Sequence, residues 1–438
     1  MSPTHNSYSE VLSELECWGS YETSAQPRDI SKLLGIQHLL EDLNHPEKHY
    51  KIIHIAGTNG KGLTATMISS LLRLQGYNSG CYTSPHLTDI RERITLNGQW
   101  VSQNAFAQSA AHVLSIARSY QGKPYLSYFD LLTAIAFQVF RQEEMEWVVL
   151  ETGLGGRADS TNVTEKELCI LTRIGLDHQQ VLGNKLIDVA AEKTGITRTD
   201  VPVIIAPQLA ELKLWLQNKF SRENIPAYFV EDYFDTQFFN IDVTKESFSL
   251  PWWSCFQTSL SAMQILFSVD NNQKIRWSEA AQKVKLAGRL DLRHNVGWSK
   301  HALHFKTMLF DGGHNSEALS ALVEFIANNK LEACTLILGM ASDKLNDDLK
   351  APLIELCNLA KRLILTPTNS ARSATPDSLR NFIWESEGLG QTFDFLIVAS
   401  AEEALEKSLV FSDTAVVVAG SFYLVGEVLQ ILENQHSS

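Results

Sequence analysis

The sequence predicts an α/β protein with mostly parallel sheets, built as two successive domains, and three observations carry that expectation. Short β-branched runs alternate with longer amphipathic stretches for most of the length. One apolar run, Ile52 to Ala56, passes directly into a glycine-rich turn that opens a helix. A second series of the same alternation begins near residue 301. Strands that alternate with helical stretches form a parallel sheet covered by helices on both faces.

Taken in order, the expected buried strands of the first domain are 51–56, 146–151, 168–174 and 201–206, with helices over 104–119 and 130–141. After residue 207 the alternation weakens and aromatics gather (Tyr228, Phe229, Tyr233, Phe238, Phe239, Trp252, Trp253), so smaller antiparallel pieces are expected there. Segment 288–300, GRLDLRHNVGWSK, is polar and glycine-bearing and reads as an interdomain hinge. Beyond it, apolar runs at 307–310, 334–338, 362–366, 394–399 and 414–419 predict a second, smaller sheet. The division expected is 1–293 followed by 294–438.

The turn after the first strand is Gly57-Thr58-Asn59-Gly60-Lys61-Gly62, and Leu63, Met67, Leu71 and Leu74 continue it at helical spacing. Glycines let backbone N–H groups converge on an anion with no Cβ in the way. The helix N-terminus adds a partial positive charge and Lys61 a full one. This is a phosphate cradle of the P-loop NTPase kind, and ATP suits it. The usual Ser or Thr after the lysine, which holds Mg²⁺, is replaced here by Gly62 and Leu63, so metal ligands must come from elsewhere.

Four further clusters sit at strand ends, where open α/β sheets place ligands. Ser84, in Tyr82-Thr83-Ser84-Pro85-His86, precedes a proline and offers a hydroxyl. Glu151 ends an apolar strand before Gly153, Gly155 and Gly156, and a carboxylate beside phosphates is what Mg²⁺ takes. His178 follows Asp177, which can orient it as a ligand, although a lone histidine is more often structural. In the second domain, Asp311-Gly312-Gly313-His314 reads as a turn or as a grip on a nucleotide.

The chain has 438 residues, too many for one ordinary core, and carries 44% hydrophobic and 20% charged residues. Its net charge of -13 argues against a general nucleic-acid or anionic-membrane binder. Six scattered cysteines with no CxxC pair suit reduced thiols, and no secretory pattern or bilayer-length apolar run is apparent, so a cytoplasmic location is expected.

In chain order, HIAGTNGKG (54–62), YTSPHL with RERI (82–94), YFDLLTA (128–134), ETGLGGRADSTN (151–162), IGLDH (174–178), AEKTGI (191–196), GRLD (288–291), DGGHN (311–315) and a final AGSFYLVGEV resemble the folylpolyglutamate synthase/dihydrofolate synthase family of the Mur ligase superfamily. That resemblance implies a P-loop NTPase-like domain followed by a smaller Rossmann-like one. It implies an ATP-dependent amide ligase that joins L-glutamate to dihydropteroate, to reduced folates, or to both, through an acyl phosphate. By resemblance, Gly57, Thr58, Asn59, Gly60, Lys61 and Gly62 hold the ATP phosphates, with Arg289 and Asp311 also on the nucleotide. Ser84 and Glu151 would bind one Mg²⁺ and His178 a second; Lys193 would be a carbamate; Asp311 and His314 would serve the reaction centre; Phe129, Asp159 and Ser160 would line the substrate pocket. The partners implied are small molecules, with no nucleic acid or membrane, and a monomer.

Several positions depart from the family pattern: Leu63 for Ser or Thr, Asp130 for Glu, Ser160 for Ala, Gly313 for Ala, and Ser259 where an adenine-binding amide is usual. Two alternatives follow: a paralogue using the same chemistry on another carboxylic acid, or a nucleotide-binding protein without ligase activity.

Overall fold

The structure, a computed structural model, describes residues 7–18, 30–120, 126–234, 249–268, 270–298, 303–385, 394–409 and 415–433. Phe238 and Phe239, and the end of the expected hinge at Ser299 and Lys300, lie outside the described residues. The chain divides into two compact units. One gathers most of the chain up to Val284; the other begins at Lys285 and also takes in His86–Asp89.

The first unit is an eight-stranded sheet among the described residues, made of β1 (Lys51–Ala56), β2 (Ser79–Tyr82), β3 (Ile94–Leu96), β4 (Gln99–Trp100), β5 (Trp147–Glu151), β6 (Leu168–Leu171), β7 (Val203–Ile205) and β8 (Ala227–Phe229). The spatial order is β4-β3-β2-β5-β1-β6-β7-β8. From β2 to β8 every pairing is parallel, and the β3–β4 hairpin adds an antiparallel edge. β1 shows why the apolar run is continuous: Ile52 packs into a core on one face, while Ile53 and Ile55 enter another on the opposite face. Both faces are covered by helices, so neither can be polar.

The second unit holds β9 (Asp291–Trp298), β10 (Leu303–Asp311), β11 (Cys334–Leu338), β12 (Ala360–Leu365), β13 (Asp394–Ile397) and β14 (Val416–Ala419), in the order β13-β12-β11-β14-β10-β9. It is parallel except for β9, which runs antiparallel to β10. Both the parallel-sheet class and the smaller second sheet agree with the sequence expectation.

Two expectations are corrected. Segment 288–300 is not a polar hinge: Asp291–Trp298 is an edge strand, in register from Phe310↔Asp291 to Leu303↔Trp298. An edge strand with a solvated face tolerates the polar residues that suggested a linker. Nor do the described residues between 207 and 287 hold antiparallel pieces. They form the parallel strand β8 and the helices Leu250–Leu266 and Asn271–Gln282. Leu250–Leu266 is apolar on nearly all sides, so periodicity could not separate helix from strand there.

That helix carries part of the core. Phe256 is fully buried, and the rings of Trp252 and Trp253 stack on it at 5.1 and 5.4 Å. Phe256→Ala is expected to cost about 3–5 kcal/mol, the range for emptying an aromatic core site. Urea unfolding checks it, and a loss under about 1 kcal/mol would mean that this helix is peripheral.

Candidate active site

The site grows from the carboxyl end of β1. Gly60 takes the left-handed conformation (φ +86°) as N-cap of the helix Lys61–Leu74, and no side chain caps that helix start. A Cβ on Gly57 would overlap the hydroxyl of Thr172. The turn is fastened to the segment after β6: the N–H groups of Thr58 and Asn59 donate to the Arg173 carbonyl at 2.8 and 3.2 Å. The Thr58 hydroxyl donates to the Gly175 carbonyl at 2.9 Å and accepts from the Gly175 N–H at 3.0 Å. Those amides of Thr58 and Asn59 are therefore committed to protein, and the donors that could face an anion are those of the uncapped helix start. Leu63 packs against the core beside this helix, which accounts for its lack of a hydroxyl.

Three charged side chains meet at the turn. The Lys61 ammonium donates to the Thr58 carbonyl at 3.2 Å and lies 3.8 Å from a Glu151 oxygen. Glu151 ends β5, is 2% exposed, and accepts from the Ser84 N–H at 3.0 Å. Lys193, from the helix Leu186–Thr194, donates to the Gly57 carbonyl at 2.7 Å. Burial, with repulsion from Lys61 second, pulls the Lys193 amine down to about 7. Lys61, Ser84, Glu151 and Lys193 are thus brought together from four separated stretches of sequence.

His178 is placed differently. It is left-handed (φ 50°), its backbone N–H donates to Asp177 Oδ1 at 2.8 Å, and its side chain is 38% exposed. Among the described residues no three His, Cys, Asp or Glu side chains form a metal-holding group. What Glu151 and Ser84 offer is oxygen, the donor Mg²⁺ prefers, and Mg²⁺ needs only one or two protein ligands when phosphates and water complete its shell. The donor set therefore fits magnesium beside a bound phosphate, whereas an imidazole is a softer ligand.

The chain just after Glu151 packs against buried side chains. Phe129, in the first turn of the helix Tyr128–Gln142, is 3% exposed, and its ring fills the space that a Cβ on Gly153 would need. Asp159 is the N-cap of the short turn Ser160–Val163 and is fully buried. Leu154 N–H, Thr161 N–H and the Thr161 hydroxyl donate to its two oxygens at 2.9, 3.1 and 2.6 Å. The Thr161 hydroxyl has one proton and gives it to Asp159, so the 2.7 Å contact with His54 must have Nε2–H of His54 donating. Burial first, then Lys166 and Arg198, hold that imidazole well below its usual pKa, which keeps it neutral. His54 escaped the sequence reading; the signal was a lone polar residue inside an apolar strand.

In the second unit, Asp311 ends β10 and accepts from the Leu290 and Gly313 amides, each at 2.8 Å. The Arg289 guanidinium lies 4.4 Å from the centre of the Phe422 ring. His314 meets the same ring edge-on at 5.8 Å and donates from Nδ1 to the Gly312 carbonyl at 3.0 Å. A Cβ on Gly312 would overlap Phe422, and one on Gly313 would crowd Asp311 and Ala318. Phe422, which sequence reasoning passed over as motif context, sets the places of both Arg289 and His314. Ser259, which stands where the family pattern has an adenine-binding amide, is fully buried and donates to the Cys255 carbonyl of its own helix at 2.8 Å.

Comparison with known proteins gives a consistent result. A family model described as the C-terminal domain of dihydrofolate synthetase matches residues 294–431. The chain is 30% identical over 424 residues to a probable dihydrofolate synthetase of Schizosaccharomyces pombe, covering 91% of this chain and 98% of the relative. It is 31% identical over 398 residues to the dihydrofolate synthase/folylpolyglutamate synthase of Escherichia coli, covering 88% and 87%. Its fold is similar to that of E. coli FolC in complex with DHPP and ADP, with a TM-score of 0.80 at 24% identity and both chains covered in full.

Asp311 makes a pH prediction. Burial raises its carboxyl from 3.8 to about 6 against the pull of the two amides and Arg289. A carboxyl raised by folding binds more protons in the native state, so its stability contribution falls as pH rises from 3.8 through about 6. Urea unfolding across that window should show wild type losing stability relative to Asp311→Asn, by at most about 3 kcal/mol. Parallel curves would show that the Asp311 carboxyl titrates normally.

Proposed function

The chain belongs to the folylpolyglutamate synthase/dihydrofolate synthase family, and from that premise we propose that it is an ATP-dependent ligase joining L-glutamate to dihydropteroate. The dihydrofolate synthetase family match over 294–431 favours dihydropteroate over reduced folates as the first substrate. The observation that carries the ligase reading is the convergence of Lys61, Glu151, Ser84 and Lys193 on one glycine turn. Longer glutamate chains on reduced folates are the second reading, supported by the likeness to the bifunctional E. coli protein.

A carboxylate is a poor acyl donor, and ATP supplies the phosphoryl group that makes it a mixed anhydride, the acyl phosphate. The glutamate ammonium gives up one proton, the free amine attacks the acyl carbon, and a second proton is lost from nitrogen as phosphate leaves and the amide forms. Magnesium, when bound, spreads the charge that builds on the transferring oxygens. The protein's part is positional and electrostatic. The uncapped helix start and Lys61 hold phosphate oxygens. Glu151 and the Ser84 hydroxyl supply hard oxygen donors for one metal, and we assign His178 to a second. Phe129, Asp159 and Ser160 hold the pterin side of the substrate. Arg289, Asp311 and His314 serve the nucleotide and the reaction centre, with Phe422 holding two of the three in place.

Lys193 carries the finer part of the proposal. An amine pulled down to about 7 is substantially neutral at physiological pH, and the neutral amine is the form that adds CO₂. A carbamate there would exchange a buried positive charge next to Lys61 for a negative one, removing a repulsion and adding oxygen donors. The family reading also carries a monomeric, cytoplasmic enzyme acting on small molecules; among the described residues no helix is long and apolar enough to cross a membrane.

The test is ADP release by purified protein with Mg·ATP and L-glutamate, given dihydropteroate or tetrahydrofolate in parallel, with product masses. A gain of one glutamate on dihydropteroate is expected, and Lys61→Ala should abolish ADP formation. No turnover with either substrate, in a protein that binds ATP, would shift the reading to another carboxylic acid. For Lys193, CO₂-depleted buffer should lower kcat and added bicarbonate should restore it. Lys193→Ala should be inactive and recover partly with a short-chain carboxylate. Indifference to CO₂ would leave Lys193 acting as a plain amine.

A further inference from the structure

Two of the departures from the family pattern, Asp130 for Glu and Ser160 for Ala, meet each other in the fold. Asp130 is the third residue of the helix Tyr128–Gln142, and Ser127 is its N-cap. One carboxylate oxygen, Oδ2, accepts from the Ser127 N–H at 2.8 Å and from the Ser127 hydroxyl at 2.6 Å. The Ser127 hydroxyl in turn accepts from the Asp130 N–H at 3.1 Å. This is a capping box, in which an acidic third residue reaches back to the N-cap. The other oxygen, Oδ1, accepts from the Ser160 hydroxyl at 2.5 Å, across 30 residues of sequence. Asp130, Ser127 and Ser160 are all buried, so water cannot stand in for a missing partner.

The two segments joined by this carboxylate each carry a residue of the pterin-side pocket. Phe129 immediately precedes Asp130, and Asp159 immediately precedes Ser160. The far side of the 160–163 turn is already fixed: the Asn162 amide donates to the Arg157 and Gly195 carbonyls at 2.9 and 3.1 Å. The near side is tied by Ser160. Asp is one methylene shorter than Glu, and Ser160 carries a hydroxyl that Ala lacks; in this chain that hydroxyl meets Oδ1 directly.

We propose that Asp130 and Ser160 form a positioning pair that holds Phe129 and Asp159 in register for the pterin-side substrate, replacing the Glu and Ala usual at these positions. The pair acts through Phe129 and Asp159 rather than on the substrate itself, and it rests on the folate reading above. Because the two changes compensate, each alone breaks the arrangement and both together restore it. Ser160→Ala strips a buried carboxylate oxygen of this donor. Asp130→Glu drives an extra methylene into Ser160. The double variant D130E/S160A exchanges one self-consistent pair for the other.

Steady-state kinetics of wild type, S160A, D130E and D130E/S160A, with dihydropteroate and ATP varied separately, tests this; circular dichroism and melting curves confirm that each variant folds. Each single variant is expected to raise KM for dihydropteroate about tenfold, the ratio that one charge-assisted hydrogen bond is worth. KM for ATP should stay within about twofold, and the double variant should return the dihydropteroate KM to near wild type. Wild-type kinetics in both single variants would overturn the pair. So would equal rises in both KM values, or a double variant as impaired as the sum of the singles, since those outcomes describe a general structural contact. A wild-type protein with no turnover on dihydropteroate or tetrahydrofolate would remove the folate reading and the pair with it, and the wild-type arm alone separates that result from the others.

Discussion

The first unit depends on one constraint, the parallel pairing of β1 with β5 on one side and β6 on the other. Parallel strands end at the same edge, so the glycine turn after β1, Glu151 at the end of β5, and Arg173 and Gly175 after β6 all emerge together. The Arg173 carbonyl takes the amides of Thr58 and Asn59, and the turn then has little freedom left. Open α/β sheets bind ligands at this edge for the same reason: it is where strands that are distant in sequence deliver their next residues side by side. Had β1 paired elsewhere, neither the Lys61–Glu151 approach nor the Thr58–Gly175 exchange could form.

The edge concentrates charge at an energetic cost. Two lysines approach one turn, and Glu151 lies 3.8 Å from Lys61. The consequence is visible at Lys193, whose proton is held loosely by burial and by its neighbour. The second unit shows the opposite case, with Asp311 holding its proton too tightly because burial outweighs two amide hydrogen bonds. Both groups are displaced toward their neutral forms. Each displacement traces first to burial at a strand end or helix turn, which outweighs the opposite charges nearby.

Much of this was legible in the residues. The glycine turn with Lys61 predicted its own strand and helix, because phosphate cradles need that local order and it is written in consecutive positions. Glu151 was legible as a carboxylate ending an apolar strand, and Leu63 as a packing residue at helical spacing. The helix Leu250–Leu266 was not legible, since apolar residues on nearly all of its sides erase periodicity. β9 was misread because an edge strand is allowed to be polar. His54 and Phe422 were missed because their roles consist of what they touch: a threonine 107 residues away, and an arginine and a histidine from other elements.

The sequence by itself determined the class of fold, the glycine turn between its strand and helix, and the family, because each is encoded in local spacing or in motif order. Tertiary structure alone decided which amides of the turn remain for a ligand, where Lys193 sits on the pKa scale, and that Asp130 and Ser160 answer one another. Those properties depend on distance and burial between residues far apart in the chain. A sequence lists the groups, but desolvation and hydrogen bonding act only between neighbours in space.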